Sequence, residues 1–294
     1  MARDTISEFE RAVEAVVGGD AGRLREILRE NPDLVHSRPA REHHATLLHY
    51  VSANGVEDDR QRTPPNAVEI ATILLDAGAE VDAVADAHGK DTALSPTATS
   101  TYPLRAGVLI PLPGLLLERG ASIDGAPGER SIVNACLANG RKRAAEFLTS
   151  RVATLDLEGA AGVGRLDLVK SFFDTDGLLR PGATRAQMES GFIWACEFGR
   201  AEVADFLLGR GVDPDTCRPH KLTGLHWAAM SGDVDTAKAV LKYTGLRSKQ
   251  EMCGAGRRWL RRCGPRRRPM RTIRRGRKEI GFRLSKRCSK PGRM

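Results

Sequence analysis

Residues 223–243, TGLHWAAMSGDVDTAKAVLKY, contain one complete structural unit of this 294-residue chain. Thr223 begins a first helix with a small apolar face, and Gly232 ends it. A second helix follows, in which apolar residues recur at every third or fourth position from Val234 to Leu241. Helices this short are not stable alone. The stretch therefore predicts an array in which neighbouring units cover one another.

The glycine that separates the two helices recurs along the chain. Equivalent glycines are Gly19, Gly55, Gly140, Gly164, Gly199 and Gly232. The last two steps are 35 and 33 residues, a period that is typical of stacked helical repeats. We count seven units, at least three of them irregular. The first has an outer stripe of charged side chains, as a terminal repeat needs where it meets water.

The second, third and fifth units depart from the pattern. In the second, the insertion VEDDRQRTPPN precedes a helix at 67–77, and its Asn66 stands where the glycine is expected. In the third, the Ser/Thr/Pro-rich stretch 95–107 predicts a long surface loop, and two prolines predict that the second helix starts only after Pro113. The fifth unit is compressed, and we expect a loop near 174–187 to restore the lost length.

The repeated motifs resemble those of the ankyrin repeat family. Its TPLHxAAxxG pattern is similar to TLLHYVSANG at 46–55 and to TGLHWAAMSG at 223–232, and its LLxxGADVNA pattern is similar to LLDAGAEVDA at 74–83. The resemblance covers residues 10–243 and extends to bacterial-type ankyrin repeat domain-containing proteins. It implies an all-α, ankyrin-type α-solenoid of about seven helix-turn-helix repeats. It also implies macromolecular recognition and scaffolding, with no catalytic residues and no cofactor.

The charge is divided unevenly along the chain. Residues 245–294 hold 19 Lys or Arg and two acids, a net +17, whereas residues 1–244 carry 27 basic and 35 acidic residues, a net −8. We therefore predict a repeat domain at 1–244 and a disordered, Arg-rich tail at 245–294. Two interpretations of the tail stay open. In the first, the tail binds nucleic acid. In the second, it is a frameshift product, because a wrong-frame reading of GC-rich DNA gives a composition rich in Arg, Gly, Pro and Cys.

A nucleic-acid-binding tail would neutralise phosphates with its arginines and stack bases on Trp259 and Phe282. The candidate residues are Arg257, Arg258, Arg261, Arg262, Arg266, Arg267 and Arg268.

Candidates for partner binding recur at fixed places in the units. One aromatic residue stands five positions before the glycine, as Tyr50, Trp194 and Trp227. These rings either fill the seams between adjacent first helices or form a strip that contacts a partner. The resemblance implies a concave face for the residues one and two positions before the glycine, which are Glu197, Phe198, Met230 and Ser231. It implies recognition by the loop tips at Asp86, His88 and Lys90, and at Arg218, His220 and Lys221.

The histidines and cysteines favour structural roles. His49 and His226 share one slot of the repeat, where the resemblance implies hydrogen bonds to the neighbouring unit. His43 and His44 have no Cys or carboxylate at helical spacing, and no two cysteines form a C-x-x-C pair, so we predict no metal site and free thiols. The segment GAAGVGRLD at 159–167 lacks the Gly-Lys-Ser/Thr ending of a phosphate loop. With no apolar run long enough for a membrane span, we expect a soluble, cytoplasmic monomer with a protein partner.

Overall fold

The computed structural model describes residues 2–38, 41–52, 57–86, 89–128, 130–217 and 221–244, with the backbone alone at 2–7. The α-helices in chain order are α1 (Ala2–Gly18), α2 (Ala21–Glu30), α3 (Ala67–Asp76), α4 (Leu94–Thr99), α5 (Thr101–Arg105), α6 (Pro111–Glu118), α7 (Ile132–Ala138), α8 (Lys142–Ser150), α9 (Leu157–Val163), α10 (Leu166–Ser171), α11 (Arg185–Glu197), α12 (Ala201–Gly209), α13 (Gly224–Ser231) and α14 (Val234–Tyr243). Three 3-10 turns lie at Pro32–His36, His49–Ser52 and Asp58–Arg60. The strands β1 (Val84–Ala85) and β2 (Asp91–Thr92) pair antiparallel, with Val84 opposite Thr92.

The described helices form a stack of seven units. The pairs are α1 with α2, the turn His49–Ser52 with α3, α4 with α6, α7 with α8, α9 with α10, α11 with α12, and α13 with α14. The first helix of each unit contacts the first helix of the next from one end to the other. This arrangement confirms the predicted all-α solenoid.

The glycines that separate the paired helices adopt the left-handed conformation that L side chains resist. Gly19, Gly140, Gly164, Gly199 and Gly232 have φ between 69° and 89°. Gly164 and Gly232 are the C-caps of α9 and α13. These are the positions that the sequence predicts to end the first helices, whereas Gly55 lies outside the described residues.

The prediction of a long loop at 95–107 is wrong, because this stretch forms α4 and α5. Thr97 and Thr99 satisfy their own hydroxyl groups within α4, by donating to the carbonyl oxygens of Leu94 and Ser95 at 2.7 and 2.8 Å. Thr97 is buried. A composition rich in Ser, Thr and Pro therefore does not exclude a short helix whose hydroxyls bond to its own backbone.

The predicted start of the next helix is also wrong. Helix α6 begins at Pro111 and includes Pro113. Both prolines lie in the first turn, where a backbone amide has no acceptor within the helix, so their missing N–H groups cost nothing there. Leu112 and Leu116 are thereby brought into the core.

The loop predicted near 174–187 ends earlier, because α11 begins at Arg185. A capping box fixes this start. The Gln187 amide donates to the Thr184 hydroxyl at 3.2 Å, and the Thr184 amide donates to Gln187 Oε1 at 2.9 Å. The pair satisfies two amides that would otherwise have no partner.

Side chains in the shared histidine slot connect consecutive units. His49 Nδ1 accepts from the Thr46 amide at 3.2 Å, so its proton is on Nε2, which donates to the Asp91 carbonyl of the next unit at 3.3 Å. Asn134 occupies the same slot and donates to Asp156 of the next unit at 2.9 Å. His226 Nδ1 accepts from the Thr223 amide at 3.3 Å.

Aspartates at the loop tips form a second set of connections. Asp82 accepts from the Ser122 amide at 3.0 Å, and Asp124 accepts from the Thr154 amide at 2.9 Å. In each case the acceptor belongs to one unit and the donor to the next.

A third set of connections lies at the opposite end of the units. There, the side chain of a residue that follows or replaces the separating glycine donates to a backbone carbonyl of the preceding unit. The pairs are Asn66 with Gly19 at 3.0 Å, Arg141 with Ser100 at 3.2 Å and Arg200 with Gly162 at 3.3 Å.

Small residues allow α9 to pack closely between its neighbours. An ideal Cβ on Gly162 would lie 2.6 Å from Leu137 of α7, and one on Gly191 would lie 2.9 Å from Ala161 Cβ. The Cβ on Gly191 would also lie 3.3 Å from the backbone of Glu158. The glycines of 159–167 therefore serve helix packing as well as helix termination.

Replacing Gly191 with alanine tests this close approach. Overpacking costs about 1–3 kcal/mol, and alanine recovers roughly 1 kcal/mol through helix propensity. We expect Gly191→Ala to lower the free energy of unfolding, measured in urea, by about 1 kcal/mol. Gly209→Ala is the control, because the nearest atom, the Tyr243 hydroxyl, is 3.5 Å from its Cβ position. Equal effects of the two variants would contradict the packing argument.

The burial of His49 predicts a pH dependence of stability. Burial is the main cause that lowers the pKa of His49 from 6.5 to about 4. Between these values the unfolded chain binds a proton that the folded chain does not, so stability falls as the pH falls from 6.5 towards 4. Over this range we expect the wild type to lose up to about 3 kcal/mol more than His49→Gln. The exposed His36 provides the control variant His36→Gln, which should keep the wild-type pH profile. Unfolding in urea across the pH range measures both.

Candidate partner-binding surface

Tyr50 is fully buried and belongs to a network of charged and polar side chains. Its hydroxyl donates to Glu57 at 2.9 Å and accepts from Arg41 at 3.0 Å. Burial first, and then the hydrogen bond to Glu57, raises the pKa of Tyr50. The ring fills the seam between units, in agreement with the packing interpretation, and a partner cannot reach it in this conformation.

The same network fixes the insertion of the second unit against the first. Glu10 of α1 binds Arg41 at 2.7 Å and Arg60 at 2.5 Å, and Glu57 pairs with both arginines. Burial alone would raise the pKa of Glu57, but hydrogen bonds from His43 and Tyr50 and the charge of Arg41 hold it below its usual value. Sequence reasoning missed this cluster, because its members are far apart in the chain.

Trp194 and Trp227 are half-buried at equivalent points of α11 and α13. Trp194 packs against the core of the first four units, and Trp227 packs against the core of the last three. The Trp227 Nε1 atom is buried and has no hydrogen-bond partner among the described residues. Each ring thus fills a seam with one part and leaves another part accessible, which fits both interpretations.

Glu197 and Met230 occupy one slot of consecutive units. Met230 is 59% exposed. Glu197 is half-buried, and burial raises the pKa of its carboxyl group. Within the described part of the chain, no hydrogen bond or ion pair reaches that carboxylate. An apolar side chain and a carboxylate without a cation therefore stand one repeat apart.

Phe198 follows Glu197 as the C-cap of α11. Its ring is partly buried against the core of the first four units. Its carbonyl oxygen accepts from Lys142 Nζ of the fourth unit at 3.1 Å, across the compressed fifth unit. We use the name α11/α13 surface for the accessible parts of Trp194, Glu197, Phe198, Trp227 and Met230.

Of the described loop-tip candidates, Asp86 and Lys90 lie far from the α11/α13 surface in sequence, and Lys221 lies just before α13. Asp86 is exposed and its carboxylate contacts His44 Nδ1 at 3.1 Å. Lys90 and Lys221 are exposed, and Lys221 has a positive φ of 59°. The other tip candidates, His88, Arg218 and His220, lie outside the described residues, as do all the tail arginines.

A shallow groove between α2 and α3 is a surface that sequence reasoning missed. Its floor is apolar and its rim carries both signs of charge. The lining residues are Arg25, Leu28, Arg29, Val68, Glu69, Thr72, Ile73, Asp76 and Ala77. Arg25 and Glu69 pair across it at 2.9 Å, so the groove offers no unpaired charge from these two residues.

The described residues were also searched for metal sites and membrane spans. They contain no group of three His, Cys, Asp or Glu side chains that could hold a metal ion. Among the described cysteines, Cys136 and Cys196 are free thiols. No helix in the described ranges has the length and hydropathy that crossing a bilayer requires.

The chain is similar to known repeat proteins. Residues 192–241, which span α11 to α14, match the family model described as ankyrin repeats (many copies). Among solved structures, the chain is similar to the crystal structure of the human ASB11 ankyrin repeat domain. The two share 21% identity over 80% of this chain and 97% of that one, with a TM-score of 0.47. No curated protein matches the chain. The matched family model and the helix pairs α11/α12 and α13/α14 together identify residues 192–241 as ankyrin repeats.

Proposed function

We propose that the chain recognises a protein partner non-catalytically, through the concave face of the array, and that the α11/α13 surface is the centre of the contact. Ankyrin repeats generally mediate protein–protein interaction and are typically non-catalytic. The observation that carries the proposal is the pair formed by exposed Met230 and uncompensated Glu197. The loop-tip residues Asp86 and Lys90 are further candidates for contact with the partner.

The chemistry of this pair indicates the kind of partner. A half-buried carboxylate loses part of its hydration, and without a cation or a hydrogen-bond donor no interaction offsets that free-energy cost. A Lys or Arg from the partner would offset that cost, because a charge-assisted hydrogen bond strengthens where water is excluded. An apolar side chain beside it would cover Met230 and the accessible edges of the two tryptophans. The partner is therefore a protein segment that presents a basic residue next to an apolar one.

Catalysis has no support in the described geometry. His49 is buried between Thr46 and Asp91, and His226 is engaged by Thr223. Burial raises the pKa of the Cys136 and Cys196 thiols to about 12, which keeps both protonated and poorly nucleophilic. The cytoplasmic location and the monomeric state stay predictions.

Substitutions on the α11/α13 surface test the proposal. A partner is first isolated from the native host with the full chain as bait, and its affinity is then measured directly with each variant. Met230→Glu places a charge in the apolar contact, and we expect at least about tenfold weaker binding. Glu197→Gln removes the negative charge that would pair with the basic residue, and we expect weaker binding with less dependence on salt.

Leu178→Glu is the matched control, because Leu178 is also a well-exposed apolar side chain but lies in the loop before α11. Its affinity should equal that of the wild type, and circular dichroism should show the same helix content in all three variants. Wild-type affinity for both Met230→Glu and Glu197→Gln would refute the assignment of this surface.

A second candidate function is nucleic-acid binding by residues 245–294, favoured by their net charge of +17. We expect the logarithm of the association constant to fall linearly with the logarithm of salt concentration. Replacing Arg266, Arg267 and Arg268 with glutamine should reduce that slope by about 3 on a duplex. Salt-independent retention of the wild type on nucleic acid would contradict this function.

A further inference from the structure

The last unit exposes an apolar face that its predecessor buries. Leu208 of α12 is 4% exposed, whereas Leu241, 33 residues later in the same slot of α14, is 53% exposed. Cys196 of α11 is buried, and its counterpart Ala229 of α13 is exposed. These residues are equivalent in the repeat, so their exposure differs because the seventh unit covers the sixth, whereas no described residue covers the seventh.

This surface is continuous across the two helices. In α14, Val234 and Leu241 are two turns apart with Ala237 between them, and the buried Thr236 and Val240 lie on another side of the helix. We call this surface the end face. Its residues are Leu225, Ala229, Val234, Ala237 and Leu241.

Two polar groups at the same end lack the connections that their equivalents make at earlier junctions. Asp215 stands in the tip slot in which Asp82 and Asp124 each accept an amide from the following unit. In the described part of the chain, no hydrogen bond or ion pair reaches the Asp215 carboxylate. Nor does any described residue contact His226 Nε2, the atom that in His49 donates to the following unit. The tip that follows α14 would complete the connection of Asp215, and a segment beyond the seventh unit would complete that of His226.

The register of the repeat indicates which residue meets Asp215. The amide that bonds to the tip aspartate belongs to the residue two positions after the tip glycine, as Ser122 follows Gly120. Twelve residues separate Gly199 from tip residue Gly211, and the same spacing after Gly232 gives Thr244. The matching amide is therefore that of Leu246, which can lie no more than about 7 Å from Thr244.

We propose that residues 245–262 of the chain itself pack across the end face and cap the array. The segment starts at the edge of this face, because α14 ends at Tyr243. It provides the apolar residues Leu246, Met252, Trp259 and Leu260 among basic ones. Its arginines match the donors that Arg141 and Arg200 supply at earlier junctions. Covalent attachment gives it an effective concentration in the millimolar range, and its positive charge faces a body of net −8.

Disulfide trapping in the full chain tests the proposal, since a disulfide requires Cα atoms within about 7 Å of each other. Leu241→Cys places a thiol on the end face, and the native Cys253 and Cys263 provide thiols in or next to the segment. Lys242→Cys is the control, because Lys242 is exposed, is at least as close to Thr244 in sequence as Leu241 and contacts Asp205 of the preceding unit instead of the end face. Oxidised glutathione serves as the oxidant, and peptide mapping identifies the pairs.

We expect the new thiol of Leu241→Cys to link to Cys253 or Cys263 within one molecule at least tenfold faster than the new thiol of Lys242→Cys does. Equal rates would overturn the proposal, because a tail that samples both sides alike does not pack on one. If the main product of Leu241→Cys instead joined the introduced thiols of two molecules, that result would also overturn the proposal and would assign the end face to a second copy.

Hydrogen exchange provides a second measurement, in the unmodified chain. Exchange at 234–243 should be within tenfold of that at 201–209, because a cap would protect α14 as α14 protects α12. Much faster exchange at 234–243 would count against the cap.

Discussion

The structure depends on one constraint, which is that none of its helix pairs can bury its own apolar residues. Apart from α1 and α11, the described helices have ten residues or fewer, and their stripes face the neighbouring unit. Stability therefore resides at the junctions between units. The junctions combine apolar burial with hydrogen bonds at fixed places in the unit. The donors and acceptors are His49 and Asn134 in the histidine slot, Asp82 and Asp124 at the tips, and Arg141 and Arg200 beside the glycines. The hydrogen bonds set the register, and the apolar contacts supply most of the free energy.

The sequence predicts the parts of the fold that local chemistry determines. The separating glycines, the helix at 67–77 and the number of units follow from a period and from residues with special conformations. The errors concern prolines and hydroxyl residues. A proline breaks a helix in its interior but is tolerated in the first turn, where Pro111 and Pro113 lie. The sequence alone does not tell where that first turn begins. Thr97 and Thr99 are compatible with a loop or with a helix, and packing against α7 decides between them.

The candidate surface was less predictable than the fold. The repeat register identifies equivalent positions, but it cannot tell how deeply each one is buried. Tyr50 and Trp227 share a slot, yet the first is sealed beneath the charged insertion and the second is partly accessible. The network around Glu57 depends on residues that only folding brings together. Met230 stands out because its unit is regular and its neighbour in the same slot, Glu197, differs from it in charge.

The contact between Lys142 and the carbonyl of Phe198 has a thermodynamic consequence. Repeat arrays are usually described as one-dimensional, with each unit coupled only to the next. Here the short fifth unit lets the fourth reach the sixth directly. The influence of Lys142 extends to the seventh, where hydrogen bonds from Thr236, and to a smaller degree the charge of Lys142, lower the pKa of Asp233. A description that couples only adjacent units therefore omits one direct contact of this array, between the fourth and the sixth units.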